Sequence, residues 1–169
     1  MAAKGQKKRL ALDTNFLFDL ARAEPFAKDF KGFFHQLGFQ LFVPPTVVRE
    51  MAMAGEDDSE EKRALSQLAS KNLIRWGIQP FAVSDVGDFI AEQFSEGLRE
   101  KGLLPFDEVN DGIILAETSL GGISILVTRD RHLLDLDETS LSMAFNAADL
   151  APVNPAHPKR LLRSALQMF

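Results

Sequence analysis

The chain has 169 residues, 46% of them hydrophobic, a formal net charge of −5 and no cysteine. That size and apolar fraction suit one domain with its own core, and the lack of cysteine excludes disulfides, thiolate metal sites and a cysteine nucleophile together. No apolar run approaches the ~18 residues of a membrane span, the apolar stretch after the basic start is too short for a secretion signal, and the net negative charge is not that of a protein that binds nucleic acid through general basicity; the expected setting is the cytoplasm.

Residues 1–8 read as a flexible basic leader, with the domain itself over residues 9–169. Leu10-Ala11-Leu12 then runs straight into Asp13-Thr14-Asn15, which reads as a buried strand of a parallel sheet with Asp13 at its carboxyl end. Ligands of open α/β sheets bind at that end, although an Asp there also suits the N-cap of the next helix. Helices are expected over residues 15–23 and 25–37, the second opened by Pro25. Phe26, Phe30, Phe33, Phe34 and Leu37 recur in it at helical spacing and are assigned to the core rather than to a base-stacking platform. Gly38 stops this helix, residues 39–43 form a second strand, and Pro44-Pro45 opens a helix through residues 46–51. Glu50 lies on that helix among Val47, Val48 and Met51, pointing either to solvent or into a site.

An acidic stretch, residues 55–61, leads to a helix over 62–70 with Leu65, Leu68 and Ala69 on one side. Lys62, Arg63, Lys71 and Arg75 lie along or near it, as a solvated face or an RNA-facing patch. Residues 76–83 are irregular with strand character, and Ser84-Asp85 caps a long helix to Glu100 whose Phe89, Ile90 and Phe94 face inward. The next helix, over residues 106–120, carries the stripe Val109, Ile113, Ala116 and Leu120 with Ile114 and Leu115 on a second side, so it is expected to be largely buried. Asp107 and Asp111 stand one turn apart on it. Residues 123–127 repeat the opening pattern, a β-branched run that ends in Thr128-Arg129-Asp130. A helical turn over 131–137, an amphipathic stretch over 138–150, an edge strand over 151–154 and a basic-faced helix over 158–166 complete the chain.

Two neighbouring parallel strands that each deliver an Asp to one sheet edge would bring like charges together, and a divalent cation is the usual relief. Asp111 then belongs to the same acidic cluster, with Asp107 as an outer member. Oxygen donors without Cys or His suit a hard ion, Mg²⁺ or Mn²⁺, rather than zinc. A rival reading makes Asp13 the acceptor of an aspartyl-phosphate phosphotransfer domain, but it leaves Glu50 and Asp111 idle, and Asn15 stands where one such class carries a second Asp. A third reading is a non-catalytic RNA-binding or scaffold module.

Taken together, Asp13-Thr14-Asn15, Glu50, Asn110-Asp111-Gly112-Ile113-Ile114-Leu115-Ala116 and Leu126-Val127-Thr128-Arg129-Asp130 resemble the PIN-domain family, over nearly the whole chain. That family includes bacterial toxin ribonucleases of the VapC type and RNA-processing nucleases. The resemblance implies a parallel-sheet α/β/α sandwich of about four to five strands and a Mg²⁺- or Mn²⁺-dependent endoribonuclease. Asp13, Glu50, Asp111 and Asp130 would be its catalytic metal-site carboxylates, with Asn15 and Thr128 shaping their geometry. It further implies products with a 5′-phosphate and a 3′-hydroxyl, a homodimer and, for a toxin, an antitoxin partner. The chain departs from the pattern at His132, where many relatives carry another acid, and in the added length of residues 55–75 and 138–150. His132 is either a proton donor or phosphate contact, or an exposed helix histidine. Arg129 and Arg131, with Lys159, Arg160 and Arg163, are candidate RNA phosphate contacts, which would make binding strongly salt-dependent.

Overall fold

The computed structural model describes residues 8–168, so the leader assigned to residues 1–8 lies outside the described residues except for Lys8, which is exposed. Five strands form one parallel sheet: β1 (Arg9–Leu12), β2 (Gln40–Val43), β3 (Ile78–Pro80), β4 (Ile125–Val127) and β5 (Asn154–Ala156), in the order β3-β2-β1-β4-β5. Around it lie α1 (Thr14–Ala21), α2 (Pro25–Gln36), α3 (Pro45–Ala54), α4 (Glu60–Asn72), α5 (Asp85–Glu100), α6 (Val109–Leu120), α7 (Arg131–Leu134), α8 (Glu138–Ala147) and α9 (Pro158–Met168). This is the α/β sandwich with a parallel sheet that the family resemblance in the sequence implies.

The strand order explains where the acids go. From β1 the chain moves outward to β2 and β3, then returns to the other side of β1 as β4. The direction of winding therefore reverses between β1 and β4, and a crevice opens at their carboxyl ends. The pairing of Ala11 with Leu126 and of Leu12 with Val127 aligns the two strands, and the Asp13 N–H donates to the Val127 carbonyl at 2.9 Å. Leu10, Ala11, Leu12, Leu126 and Val127 are wholly excluded from solvent, as expected of strands covered on both faces.

Helix starts follow local chemistry. Pro25 and Pro45 open α2 and α3, where the missing N–H costs no hydrogen bond. Gly38, at φ +85°, turns the chain out of α2. Within α2, Phe30 and Phe34 are fully buried while Phe26, Phe33 and Leu37 pack at the margin of the core. The Phe30 ring lies 5.1 Å from that of Phe16 and 4.4 Å from that of Phe34, so these aromatics tie α1 to α2.

Several expectations are corrected. The helix expected from residue 106 begins at Val109, because Pro105–Glu108 forms a turn that α5 holds in place. Arg99 donates to the Phe106 carbonyl at 3.3 Å and its guanidinium covers the Phe106 ring. Asp107 is therefore an exposed turn residue and shares no helix face with Asp111. Val109 and Leu120, placed on the buried stripe, are more than one-third exposed, since α6 turns Gly112, Ile114, Leu115 and Thr118 inward instead. Phe89 is 62% exposed: the inward face of α5 is Gly87, Ala91, Phe94, Ser95 and Leu98, and Phe89 falls between those rows. Leu68 is likewise exposed, with Ser66 and Ala69 taking the buried face of α4. The edge strand lies at Asn154–Ala156 rather than 151–154; Pro155 pairs opposite Leu126 there, and an edge position spares its missing N–H.

The contact of α5 with α6 depends on a residue without a side chain. A Cβ on Gly112 would meet the Ser95 Cα and Cβ at 2.7 Å and its Oγ at 2.5 Å, and the backbone of α5 cannot yield as a flexible side chain would. Gly112→Ala is expected to cost about 1–3 kcal/mol in urea denaturation. Gly97→Ala, where a Cβ would meet nothing within 4 Å, is expected to have the opposite sign and gain about 0.4–1 kcal/mol.

A candidate metal centre at the carboxyl edge of the sheet

Asp13 leaves β1 at the crevice and caps α1, its Oδ1 accepting the Thr14 N–H at 2.8 Å. Only 4% of it is exposed. Its Oδ2 accepts the Thr128 hydroxyl at 2.6 Å and the Asn15 amide at 3.4 Å. Thr128, the first residue after β4, is wholly buried, and the same hydroxyl oxygen accepts the Asp130 N–H at 3.0 Å. Asn15 reaches across from α1 to accept the Arg129 N–H at 3.0 Å. One small polar network thus joins the ends of the two central strands.

Four of the residues picked out in the sequence, Asp13, Glu50, Asp111 and Asp130, line a single cleft of about 470 Å³, together with Asn15 and Asn110. Glu50 projects from α3 and its Oε1 accepts the Thr14 hydroxyl at 2.8 Å. Asp111 comes from the first turn of α6 and Asp130 caps α7, accepting the His132 N–H at 2.9 Å. Phe18, Met53, Ala54, Asp57 and Lys62 complete the cleft wall.

The structure adds Glu108 to this group. Oxygens of Glu108, Asp111 and Asp130 lie within 4.8 Å of one another. Glu108 occupies the N-cap position of α6, three residues before Asp111, so the two meet across the first turn. Its signal in the sequence was that spacing, and an early helix start transferred it to Asp107. His132, exposed on α7, places its Nε2 3.5 Å from the Glu108 Oε1. Arg131 is exposed at the start of α7. Arg129 is engaged elsewhere: its guanidinium grips the buried Asp19 bidentately, at 2.6 and 2.9 Å. Asp19, unremarked in the sequence, thereby joins α1 to the segment between β4 and α7 and leaves the Arg129 backbone to serve Asn15.

Gathering carboxylates in a crevice has a cost that their proton affinities record. Burial raises the Asp13 carboxyl to about 6 despite the Thr128 and Thr14 hydrogen bonds, and the nearby charges of Glu50 and Asp130 push the same way. Burial also raises Glu50, with Thr14 and Asn110 opposing. Asp111 is pushed furthest, to about 9, first by burial and then by the charges of Asp130 and Asp13. Its Oδ2 is buried and has no hydrogen-bond partner among the described residues. A buried carboxylate oxygen facing other carboxylates without a donor is poorly matched by the protein alone. The donor set fits a hard divalent cation: all oxygen, several negative charges, and Glu108, Asp111 and Asp130 close enough to share one ion.

A comparison of the sequence with curated proteins gives no match. Solved structures with the same fold include VapBC2 from Rickettsia felis bound to a DNA fragment from its promoter, with TM-score 0.60, 14% identity and coverage of 88% of this chain and 98% of that one. FitAcB from Neisseria gonorrhoeae superposes with TM-score 0.53 at 17% identity, covering 88% and 97%. FitAB bound to an IR36 DNA fragment gives 0.53 at 19%, covering 88% and 94%. The model of the PIN domain matches residues 10–139, a span that runs from within β1 to beyond β4 and holds every carboxylate of the cleft, and the chain belongs to the PIN-domain family.

Proposed function

We propose that the protein is a divalent-metal-dependent endoribonuclease with Asp13, Glu50, Asp111 and Asp130 as its metal-site carboxylates. The observation that carries this reading is the buried Oδ2 of Asp111, which has no hydrogen-bond partner among the described residues and is set among the acids of the cleft. Glu108, whose carboxylate lies with those of Asp111 and Asp130, would join them as a ligand. Bound there, Mg²⁺ or Mn²⁺ would act as a Lewis acid on a phosphodiester and on the attacking water.

The chain's own groups hold the site. Thr128 and Thr14 orient Asp13 by donating one hydrogen bond to each of its oxygens, and these bonds oppose the rise that burial imposes on its carboxyl. Thr14 and Asn110 restrain Glu50, and Asn15 ties α1 to the segment that carries Asp130. Hydrolysis adds the elements of water across one P–O bond, and cleavage toward the 3′-oxygen leaves a 5′-phosphate and a 3′-hydroxyl. Both oxygens of Asp13 already accept hydrogen bonds, which suits a ligand better than the nucleophile of a phosphotransfer domain. Of Arg129 and Arg131, the exposed Arg131 is the freer to contact a phosphate, because Asp19 holds Arg129.

The likeness to VapBC2 and FitAB complexes supports the narrower reading of a toxin partnered by an antitoxin-like protein; a homodimer and a cytoplasmic setting belong to the same reading and rest on the family resemblance in the sequence. No helix among the described residues is long and apolar enough to cross a membrane.

Purified protein is expected to cleave single-stranded RNA with Mg²⁺ or Mn²⁺ and to lose activity with EDTA. Asp13→Asn, Glu50→Gln, Asp111→Asn and Asp130→Asn should each lower the rate by more than about 100-fold, as loss of metal-site donors does. RNA binding without turnover under any divalent ion would identify a non-catalytic module instead.

Metal-free protein is expected to lose stability as pH rises. Asp13 and Asp111 hold their protons more tightly folded than unfolded, so the folded chain binds more protons above pH 3.8 and stability declines. The decline runs to about pH 6 for Asp13 and continues to about pH 9 for Asp111; at ~1.4 kcal/mol per unit, Asp13 contributes roughly 3 kcal/mol. Urea melts across this range should show that slope in EDTA and a flatter one in Mn²⁺. Asp111→Asn should raise metal-free stability at high pH and remove most of the metal response.

A further inference from the structure

Glu117 is a fully buried carboxylate, at 0% exposure, that the proposed chemistry does not use. It lies on α6 beyond Asp111 and is absent from the cleft wall. Its Oε1 accepts the Thr46 N–H at 3.0 Å and its Oε2 accepts the Thr46 hydroxyl at 2.9 Å. Arg49 closes the group, donating to the Thr46 hydroxyl oxygen at 2.8 Å with its Nη2 3.8 Å from Glu117 Oε2.

Thr46 is the second residue of α3, in the turn whose N–H groups have no partner within the helix. The N-cap position of α3 is Pro44, which offers no side-chain acceptor. Glu117 therefore caps α3 from another helix, with a negative charge at the helix end that favours one. Glu50 stands one turn further along α3, and Asp111 lies on the same helix as Glu117.

Stability alone is a weak reason for this arrangement. A buried charge with its partners is commonly replaceable by apolar groups at no loss, because desolvation offsets the attraction. What apolar groups do not supply is direction. Two hydrogen bonds from one residue to one carboxylate fix the axial position and rotation of α3 against α6, and no other side-chain hydrogen bond among the described residues links these helices away from the cleft.

We propose that Glu117 is a positioning residue of the metal site: by clamping Thr46 it sets α3 against α6 and so holds Glu50 in register with Asp111. This rests on the reading of the cleft as a metal centre. The clamp acts like the outer groups that orient metal ligands, one helical turn removed from the donor it serves.

The test is Mn²⁺ binding to the metal-stripped full-length chain by calorimetry, with urea melts in EDTA read in parallel. Glu117→Gln should weaken Mn²⁺ binding by about 10-fold, and Thr46→Val, isosteric but without the hydroxyl, should weaken it in the same direction. Thr46→Ser, which keeps the donor, should return affinity to within about twofold of wild type; in a Glu50→Gln background, Glu117→Gln should change affinity by less than about twofold, because the ligand it positions has gone. The proposal is overturned if Glu117→Gln and Thr46→Val both bind Mn²⁺ as the wild type does, or if the loss is undiminished in the Glu50→Gln background. A wild-type chain that binds no Mn²⁺ would overturn the metal reading itself, and this inference with it.

Discussion

Mutual repulsion among carboxylates that are kept out of water is the constraint to which the rest of this structure answers. The central strands deliver Asp13 and the segment bearing Asp130 to the same edge because β1 and β4 are hydrogen-bonded neighbours in fixed register. Between them stands the Thr128 hydroxyl, which donates to Asp13 and accepts from the Asp130 N–H. A single buried hydroxyl thus satisfies one acid and anchors the backbone of the next. Its neighbour Asn15 does the same across the α1 boundary. Such fully connected polar groups are rigid, and rigidity is what holds like charges near each other against their preference to separate.

The distribution of cations follows from the same constraint. A guanidinium in the cleft would neutralise the acids and compete with any metal ion. Arg129, adjacent to Asp130 in sequence, is instead drawn away by Asp19, whose burial makes a bidentate partner necessary. Among the described residues Lys62 is the one Lys or Arg that lines the cleft, and it lies 3.6 Å from Asp57. The acids are therefore left without a cationic side chain to offset their burial, which is why Asp13, Glu50 and Asp111 all hold their protons more tightly than an exposed carboxyl does.

Much of the architecture was legible because it rests on local rules. Apolar runs that end in Asp13 and Asp130, prolines at the starts of α2 and α3, Ser84 ahead of α5 and Gly38 behind α2 act within a few residues of themselves. Errors fell where a distant group intervened. The start of α6 moved because Arg99 of α5 holds the Phe106 turn. Phe89 was assigned inward by its hydrophobicity, but which face of α5 is covered depends on where α6 and α8 pack. Glu108 was displaced by its neighbour Asp107 through the same shift in helix start, since one residue of register rotates a side chain by ~100°.

What the sequence by itself determined is the chemical inventory and its order along the chain: carboxylates without thiols, two strand-end acids, one helix glutamate and one helix aspartate, in the pattern of the PIN-domain family. These follow from residue type and from periods of two and 3.6, which need no knowledge of neighbours. Only the tertiary structure decided which acids share a crevice, that Glu108 belongs among them, that Arg129 is held by Asp19, and that Glu117 caps a helix other than its own. Each of those outcomes joins residues far apart in the chain, or turns on a helix boundary set by a separate helix, and burial energies of that kind depend on the assembled packing rather than on any single stretch of residues.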